Sequence, residues 1–560
     1  MRTDDDLWAR VERWIGRDPD PETVAEARLL LDVGDVDALR ERFDSRLAFG
    51  TAGLRGPLGS GPNRMNRLVV RQTAAGLADH LLATVPDAAQ RGVVIGFDAR
   101  HNSDVFASDT ARVFAARGIR ALLFPHVVPT PVLAFATTHL GAAAGVQVTA
   151  SHNPPADNGY KVYWGDGPQI VPPIDGEIAA CIDSVANSAQ EVSLSELSDG
   201  AINTVGSSVA AAYLAGVAGL DPRTSDVHAR HALRVVYTAM HGVGGETLVK
   251  VLTDAGFDDL HVVEEQFAPD PDFPTVAFPN PEEPGALDLA FAKATLIGAH
   301  IILANDPDAD RLAVAVPDPD TPNGWRQLRG DEVGWLLADH LLRTSEGTPN
   351  RRLVCTTIVS SSLLGAMARA HDVDYVETLT GFKWLARAAL ARPDHRHVLS
   401  YEEALGYCVG SLVPDKDGIS AALAIADLAA SSAANSETLL DRLHTIEQQF
   451  GRYNTEQWSL RFDGSDAAEQ MIGLMQRLRA AIPTTVANVA VRSCVDLIES
   501  DPPADVVVLH LADEGRITVR PSGTEPKCKV YFETVSRPGH VSASIAMLRV
   551  AMAEVLGVDP

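Results

Sequence analysis

Reactive side chains in this sequence gather where apolar runs end. Val146-Gln147-Val148 leads into Thr149-Ala150-Ser151-His152-Asn153-Pro154-Pro155, and Asn158-Gly159-Tyr160-Lys161 follows. A strand that ends this way puts a hydroxyl at its tip, where it can be reached, while a lone histidine beside it is more often a satisfied hydrogen-bonding residue than a catalyst. A turn or helix-capping serine has the same local appearance. Ile301-Ile302-Leu303-Ala304 leads into Asn305-Asp306-Pro307-Asp308-Ala309-Asp310-Arg311. On an extended backbone side chains alternate with period two, so Asp306, Asp308 and Asp310 are expected on one side. Three carboxylates held together repel one another and need a cation. An all-oxygen set suits Mg²⁺ or Mn²⁺ and leaves positions open for water or a phosphoryl oxygen. A solvated acidic loop is the plain alternative. Asp318–Gly324 is equally polar, but no strand delivers it, and it reads as a turn between elements.

Three further stretches carry weaker signals. Arg516–Val519 leads into Arg520-Pro521-Ser522-Gly523-Thr524-Glu525-Pro526-Lys527, where hydroxyls, a glycine and backbone N–H groups form an anion nest or an ordinary turn. Ser400-Tyr401-Glu402-Glu403-Ala404-Leu405-Gly406 places two carboxylates at a strand tip, suited to sugar hydroxyls and equally to a capped helix start. Thr380–Trp384 offers Lys383 as a loop lysine beside aromatics, facing a sugar phosphate or merely solvent. Phe49–Gly56 is glycine-rich, can bring backbone close to a ligand, and adds Arg55 as a phosphate fork.

The elements that must position these residues follow from periodicity. Residues 5–32 read as two helices broken at Gly16–Pro19, and 65–84 as a third. Strands are expected at 93–97 and 121–124, with Ser103 and Asp104 capping the helix between them. The polar stretch 183–208 reads as a loop closing the first domain. Alternation restarts at 233–237, continues through 261–263 and a helix at 286–297, and reaches 301–304. A third round has strands at 353–357, 375–378 and 397–401 and helices near 331–344, 360–371 and 418–434. The last segment differs, with strands at 487–492, 504–509, 516–520 and 528–533 and helices at 465–481 and 541–555. Three βαβ rounds and a distinct α+β end give four expected domains: 1–208, 209–325, 326–455 and 456–560.

Composition narrows the function classes. A net charge of −27 argues against nucleic acid or an anionic membrane as the main partner, but not against a small anion in a local basic pocket. The five cysteines are scattered without a C-x-x-C pair, which excludes a typical cysteine zinc cluster and suggests free thiols in a reducing cytoplasm. The acidic N-terminus has no apolar leader segment, and no apolar run reaches ~18 residues.

Taken in order, Thr149–Pro155 with Lys161, Asp306–Arg311, Glu402–Gly406 and Arg520–Lys527 resemble the four signature loops of the α-D-phosphohexomutase superfamily, which holds phosphoglucomutases and phosphomannomutases. Gly50–Gly56, Met240–Gly244, Asp272-Phe273-Pro274, Asn280-Pro281-Glu282 and Asp415–Gly418 extend the resemblance over nearly the whole chain. It implies four domains in a heart shape around a central cleft, three of them related α/β domains and the last α+β. It implies a phosphoserine at Ser151, with Asp306, Asp308, Asp310 and a phosphoserine oxygen around Mg²⁺. Arg55, His152, Lys161 and Arg311 match the family's basic residues there. His152 and Lys161 are the candidates for proton transfer, the lysine with a pKa lowered by Arg55 and Arg311. Arg520, Ser522, Gly523, Thr524 and Lys527 would hold the non-reacting phosphate, and Lys383, Glu402 and Glu403 the sugar.

The activity implied is interconversion of a sugar 1-phosphate and 6-phosphate, glucose or mannose, with glucose 1,6-bisphosphate as activator and small sugar phosphates as the only expected partners of a monomer or homodimer. A phosphopentomutase, a non-catalytic sugar-phosphate binder and a phosphatase are the competing readings. Two departures stand out: Pro307 and Ala309 replace the glycines of the usual D-G-D-G-D-R loop, and Ala404 stands where G-E-x-S has serine. Both bring the chain nearer the branch that accepts several sugar phosphates, pentose phosphates included.

Overall fold

Short runs of valine, isoleucine and leucine bounded by polar turns become the strands of four sheets. The computed structural model describes residues 4–188, 190–198, 200–345, 351–462, 467–522, 527–539 and 542–559. The chain falls into two units: Met1–Arg329 with Val398–Ser400 and Leu405–Ser436, and Gly330–His397 with Tyr401–Ala404 and Glu437–Pro560.

In the first unit β1 (Leu54–Pro57), β2 (Val93–Phe97), β3 (Ala121–Leu123), β4 (Ala144–Val148), β5 (Asp157–Trp164) and β6 (Ile202–Thr204) form one sheet in the order β1-β5-β4-β2-β3-β6. β2 pairs in parallel with β3 and β4, and β3 with β6; β5 returns antiparallel on β4, and β1 on β5. Every residue of β4 is buried, as in strands covered on both faces. Helices Arg67–Thr84 and Ser103–Ala116 supply Leu77, Phe106 and Phe114 to the core around Ile95 and Tyr160. A second sheet holds β7 (Val235–Thr238), β8 (Leu260–Val262), β9 (Ile301–Ala304), β10 (Ala313–Pro317) and β11 (Trp325–Gln327) in the order β11-β10-β9-β7-β8. β7 is parallel to β8 and β9, whereas β10 returns antiparallel on β9 and β11 on β10.

In the second unit β12 (Arg352–Thr357) pairs in parallel with β13 (Asp374–Thr378). Along the chain β14 (Arg396–Glu402) comes next, followed by β15 (Gly406–Val409), which belongs to the first unit. The C-terminal sheet is antiparallel: β16 (Arg452–Arg461), β17 (Thr485–Val486), β18 (Val489–Asp496), β19 (Val507–Leu511), β20 (Arg516–Pro521) and β21 (Lys527–Ser536), in the order β16-β21-β20-β19-β18-β17. Helices Ala467–Ala480 and Ile545–Leu556 pack on it through Leu474, Leu478, Leu548 and Met552.

One device recurs. β4 turns back into β5, β9 into β10 and β20 into β21, each as an antiparallel pair. The Ser151 and Asp306 stretches are the connections of the first two pairs, so each is gripped from both ends, and Arg520 and Lys527 lie on the strands of the third.

Several expectations change. A third N-terminal helix, Val36–Phe43, joins Asp4–Ile15 and Pro21–Val33, and Trp14 meets Phe43 edge-on at 5.5 Å. Stretch 183–208 is not all loop: it contains β6 and the start of helix Ser207–Leu220. Neither Ser103 nor Asp104 caps a helix; Asn102 precedes that helix with φ 65°, and the Ser103 hydroxyl bonds Asp98 instead. Asp318–Gly324 is the turn of the β10–β11 hairpin. Lys383 lies in the first turn of helix Phe382–Leu390 rather than in a loop. β16 runs across the expected limit at 455/456.

Candidate active site

β4 ends at Val148, and the chain reaches Ser151 through a tight turn in which Ser151 N–H donates to Thr149 Oγ1 at 2.9 Å. Ser151 adopts φ 55°, and the chain continues into β5 rather than a helix, so Ser151 is not a helix cap. Its side chain is buried at 2 % exposure, and Oγ donates to Asp306 Oδ2 at 2.9 Å. His152 Nδ1 lies 3.3 Å from the same Oγ and 3.9 Å from Asp306 Oδ2. Arg55 on β1 arrives through the β1–β5 pairing, with Nη1 3.5 Å from Asn153 Oδ1. That pairing explains Gly53: at φ 73°, an added Cβ would stand 1.8 Å from the Tyr160 carbonyl oxygen. The glycine there admits the protein's own strand.

The aspartates do not line an extended strand. Residues 305–310 form a turn after β9, closed by Ala309 N–H donating to Asp306 O at 2.9 Å, with Ala309 at φ 59°. The turn achieves what the strand was expected to achieve. Asp306, Asp308 and Asp310 are 1 % exposed or less, and one oxygen from each lies within 4.8 Å of the others. Asn305 braces the turn, accepting from Tyr237 O–H at 3.0 Å and donating to Arg311 O at 2.7 Å. Loop 240–244 closes over it: Val243 N–H donates to Pro307 O at 2.8 Å, and a Cβ on Gly242 would lie 2.4 Å from Pro307.

Four cations surround this cluster. Lys161 Nζ reaches Asp308 Oδ2 at 2.6 Å and Asp310 Oδ2 at 3.0 Å, so it is paired with carboxylates. Lys416 Nζ lies 3.2 Å from Asp310 Oδ2. Arg311 N–H donates to Asp306 Oδ1 at 3.0 Å, while its guanidinium stands 3.6 Å from Glu282 and 3.9 Å from Asp310. Arg100, buried behind the Ser151 turn, donates to its main-chain carbonyls. Burial and then the neighbouring Asp308 and Asp310 push the Asp306 carboxyl well above its ordinary range. Burial also works against Asp308, but Lys161 outweighs it and holds that carboxyl low. Burial, then Arg311 and Arg55, push His152 well below the usual imidazole range, leaving it neutral at neutral pH.

A divalent cation fits this donor set. Asp308 Oδ1 and Asp310 Oδ1 are buried without hydrogen-bond partners. An oxygen-rich, dry pocket of three carboxylates with two unsatisfied oxygens is the environment hard cations take.

The second unit holds the other predicted residues. Glu402 ends β14, and its Oε1 accepts from Gly381 N–H at 2.7 Å, next to Lys383 at the helix start. Glu403 Oε2 accepts from Ser360 Oγ at 2.9 Å. Burial, then Glu402 and Asp331, push Glu403 up to about 7. Arg520 lies near the end of β20 and Lys527 starts β21, with Ser522 N–H donating to Lys527 O at 2.7 Å. Gly523 and Thr524 lie outside the described residues. Arg516, on the same strand as Arg520, is bound by Glu377 at 2.6 Å and Glu533 at 3.1 Å, and it donates to the carbonyl of Ser360.

Three partners escaped sequence reasoning. Thr130 donates to Asp308 Oδ2 at 2.5 Å across 178 positions of sequence, with no local signal. Arg100 lies just past the strand expected at 93–97, and no local pattern signals its contacts. Lys416 stood inside the Asp415–Gly418 match without an assigned contact.

Models of the phosphoglucomutase/phosphomannomutase family match the chain in order: α/β/α domain I at 46–189, domain II at 211–320, domain III at 329–446 and the C-terminal domain at 495–539. A Haemophilus influenzae protein named "Probable phosphomannomutase" is 45% identical over 84% of this chain and 93% of its own. A Mus musculus phosphopentomutase is 34% identical over 94% and 90%. A solved phosphoglucomutase/phosphomannomutase family protein from Burkholderia thailandensis shares the fold with a TM-score of 0.68 at 20% identity, over 91% of this chain and 96% of that one. With four sheets, three of them in α/β domains and the last in an α+β domain, this chain belongs to the phosphoglucomutase/phosphomannomutase family of the α-D-phosphohexomutase superfamily.

Proposed function

We propose that this member of the mutase family interconverts the 1-phosphate and 6-phosphate of glucose or mannose through a phosphoserine at Ser151. The observation that supports it best is the Ser151 hydroxyl, 2.9 Å from Asp306 within three buried aspartates, two of which carry unpartnered oxygens. Asp306, Asp308 and Asp310, with an oxygen of the phosphorylated Ser151, would hold Mg²⁺. Bound there, the ion supplies charge neutralisation to a phosphoryl group in flight.

The protein's own groups do the rest. Phosphorylated Ser151 gives its phosphoryl group to the free hydroxyl of the sugar monophosphate, and the bisphosphorylated sugar turns over while bound. Its other phosphate then returns to Ser151, and glucose 1,6-bisphosphate from solution serves as activator. His152, neutral and beside Oγ, takes or returns the hydroxyl proton, with Lys161 as the second candidate. Arg55 and Arg311 hold phosphoryl oxygens. Arg520, Ser522, Gly523, Thr524 and Lys527 take the phosphate that is not reacting, and Lys383, Glu402 and Glu403 the sugar hydroxyls. Small sugar phosphates are the partners. A cytoplasmic location agrees with five free cysteines, and no described helix is long and apolar enough to cross a membrane.

Intact-mass measurement is expected to find one phosphate on Ser151, and S151A to lose about 10⁴-fold or more in turnover. Full turnover in S151A would sink the assignment. The pentose alternative draws on the phosphopentomutase relative and on Ala404. Comparing kcat/KM on glucose 1-phosphate, mannose 1-phosphate and ribose 1-phosphate decides it, and a ribose preference above tenfold reassigns the substrate.

A further inference from the structure

Arg100 follows β2 by three positions and is 3 % exposed. Its Nη1 donates to the carbonyls of Pro154 and Asp157 at 2.7 and 3.0 Å, and its Nη2 to those of Ser151 and Asn153 at 2.7 and 2.6 Å. Four carbonyls of the Ser151 turn thus converge on one planar cation, whose Nε stands 3.4 Å from Asp98 Oδ2. A lysine has a single nitrogen and cannot reproduce two separate donor pairs. Ser151 itself sits at φ 55°, a conformation an L residue keeps only when its surroundings impose it.

The face of the guanidinium is covered from a different sheet. Phe273, in the loop between β8 and helix Asp288–Ile297, places its ring 5.0 Å from the guanidinium carbon. It is buried at 2 % and held at φ 45°. Its ring meets that of His241 edge-on at 6.5 Å, and His241 Nε2 lies 2.8 Å from Thr275 Oγ1. His241, which meets that ring, is itself left-handed at φ 57°, as is its neighbour Met240 at φ 51°. Asp272 also reaches His101, the neighbour of Arg100, at 2.7 Å. Held at a left-handed backbone position and packed against His241, the Phe273 ring presents one face to the guanidinium.

We propose that Arg100 and Phe273 are positioning residues for the phosphoryl-carrying turn: Phe273 sets the guanidinium plane, and the guanidinium sets the carbonyls that aim Ser151 Oγ. The inference rests on Ser151 being the phosphoryl carrier. Phosphoryl transfer depends on in-line placement, where a misplacement of about 1 Å costs about 10²-fold. Arg100 holds the carbonyls of the Ser151 turn and Phe273 holds Arg100, so the loss belongs in kcat and not in KM.

The test uses the full-length protein with glucose 1-phosphate, glucose 1,6-bisphosphate and Mg²⁺, measuring kcat, KM and phosphate on Ser151. R100K is expected to lower kcat about 30- to 100-fold, and F273L about 5- to 10-fold, with KM within about twofold. Because Phe273 acts through Arg100, the double variant should lose no more than R100K alone. Losses that multiply, a kcat within twofold of the parent in both single variants, or a loss confined to KM overturns the proposal. If R100K does not fold, the kcat and KM of F273L decide it alone. A parent protein with neither Ser151 phosphate nor turnover overturns the mutase reading and this inference with it; an active, phosphorylated parent beside unaltered variants overturns the positioning role only.

Discussion

The turn that carries Ser151 and the turn that carries Glu402 and Glu403 both follow a strand, yet they are built to opposite ends. Around Ser151 the reacting groups are drawn inward: Ser151, Lys161 and the three aspartates are at most 2 % exposed and are bound to one another, while the His152 side chain beside them keeps 24 % exposure. Around Glu402 the groups are half-buried, and the contacts run outward to supports, Glu402 to Gly381 and Glu403 to Ser360. On the proposed mechanism this division has a reason. A phosphoryl group must be handed over in one geometry, whereas a sugar that turns over while bound needs contacts that serve two orientations.

Breaking the Ser151 region should cost most. D308N removes one of the three carboxylate charges proposed to hold the metal and leaves Lys161 short of a partner, so kcat should fall roughly 10²–10³-fold with little change in KM. Chelation should abolish turnover in the parent protein, and added Mg²⁺ should restore it. A KM effect alone would place Asp308 in sugar binding. The next largest effect belongs to Arg516, which ties the strand of Arg520 to Ser360 and so to Glu403. R516M strands Glu377 and Glu533, at a cost of about 3–5 kcal/mol in urea unfolding, and should raise KM more than it lowers kcat. A pure kcat loss there would erase the contrast between the two regions.

A smaller effect should appear with pH. Folded Glu403 keeps its proton up to about 7, against an ordinary value of 4.5. Its contribution to stability is therefore full below pH 4.5 and is lost as pH rises through 7. E403Q should flatten the melting temperature over that window by the equivalent of roughly 1–2 kcal/mol, discounted for partial exposure. An unchanged pH slope in E403Q would show that another group carries it. Smallest is A309G. It relieves a left-handed alanine worth about 1–2 kcal/mol and removes a packed methyl group worth about 0.8 kcal/mol, so stability should shift by less than about 1 kcal/mol. A larger drop would mean that the methyl group supports the aspartate turn.

The loops were legible because their chemistry is local: a hydroxyl beside an imidazole, or three aspartates within five positions, needs no distant partner to be noticed. The parallel strands were legible because burial on both faces makes them unbroken apolar runs, as in Val93–Phe97. What escaped was set by long-range contact or masked periodicity. Thr130 matters only because the chain brings it to Asp308. In β16 the buried positions Tyr453, Trp458 and Leu460 change parity midway, so no period of two runs through it. Helix Val36–Phe43 did carry its signal in Val36, Leu39 and Phe43, spaced for one helical face. The aspartate turn was misjudged in shape though not in clustering, because aspartates at every second position also suit an extended strand, and alanine at 309 gives no sign of its φ of 59°.

Pro307 and Ala309 also bear on how this loop can be exchanged. A Cβ placed on Gly242 would fall 2.4 Å from Pro307, and one on Gly244 would fall 2.7 Å from the Ala309 methyl group. The bulk missing from residues 242 and 244 is the bulk present at 307 and 309, so the two segments form a sterically matched pair. Grafting a glycine-type metal loop into this chain would leave a gap opposite both glycines, and moving this loop into a relative with larger residues there would not close at all. Designs that trade substrate range between branches of the family must therefore carry Met240–Gly244 along with Asp306–Arg311.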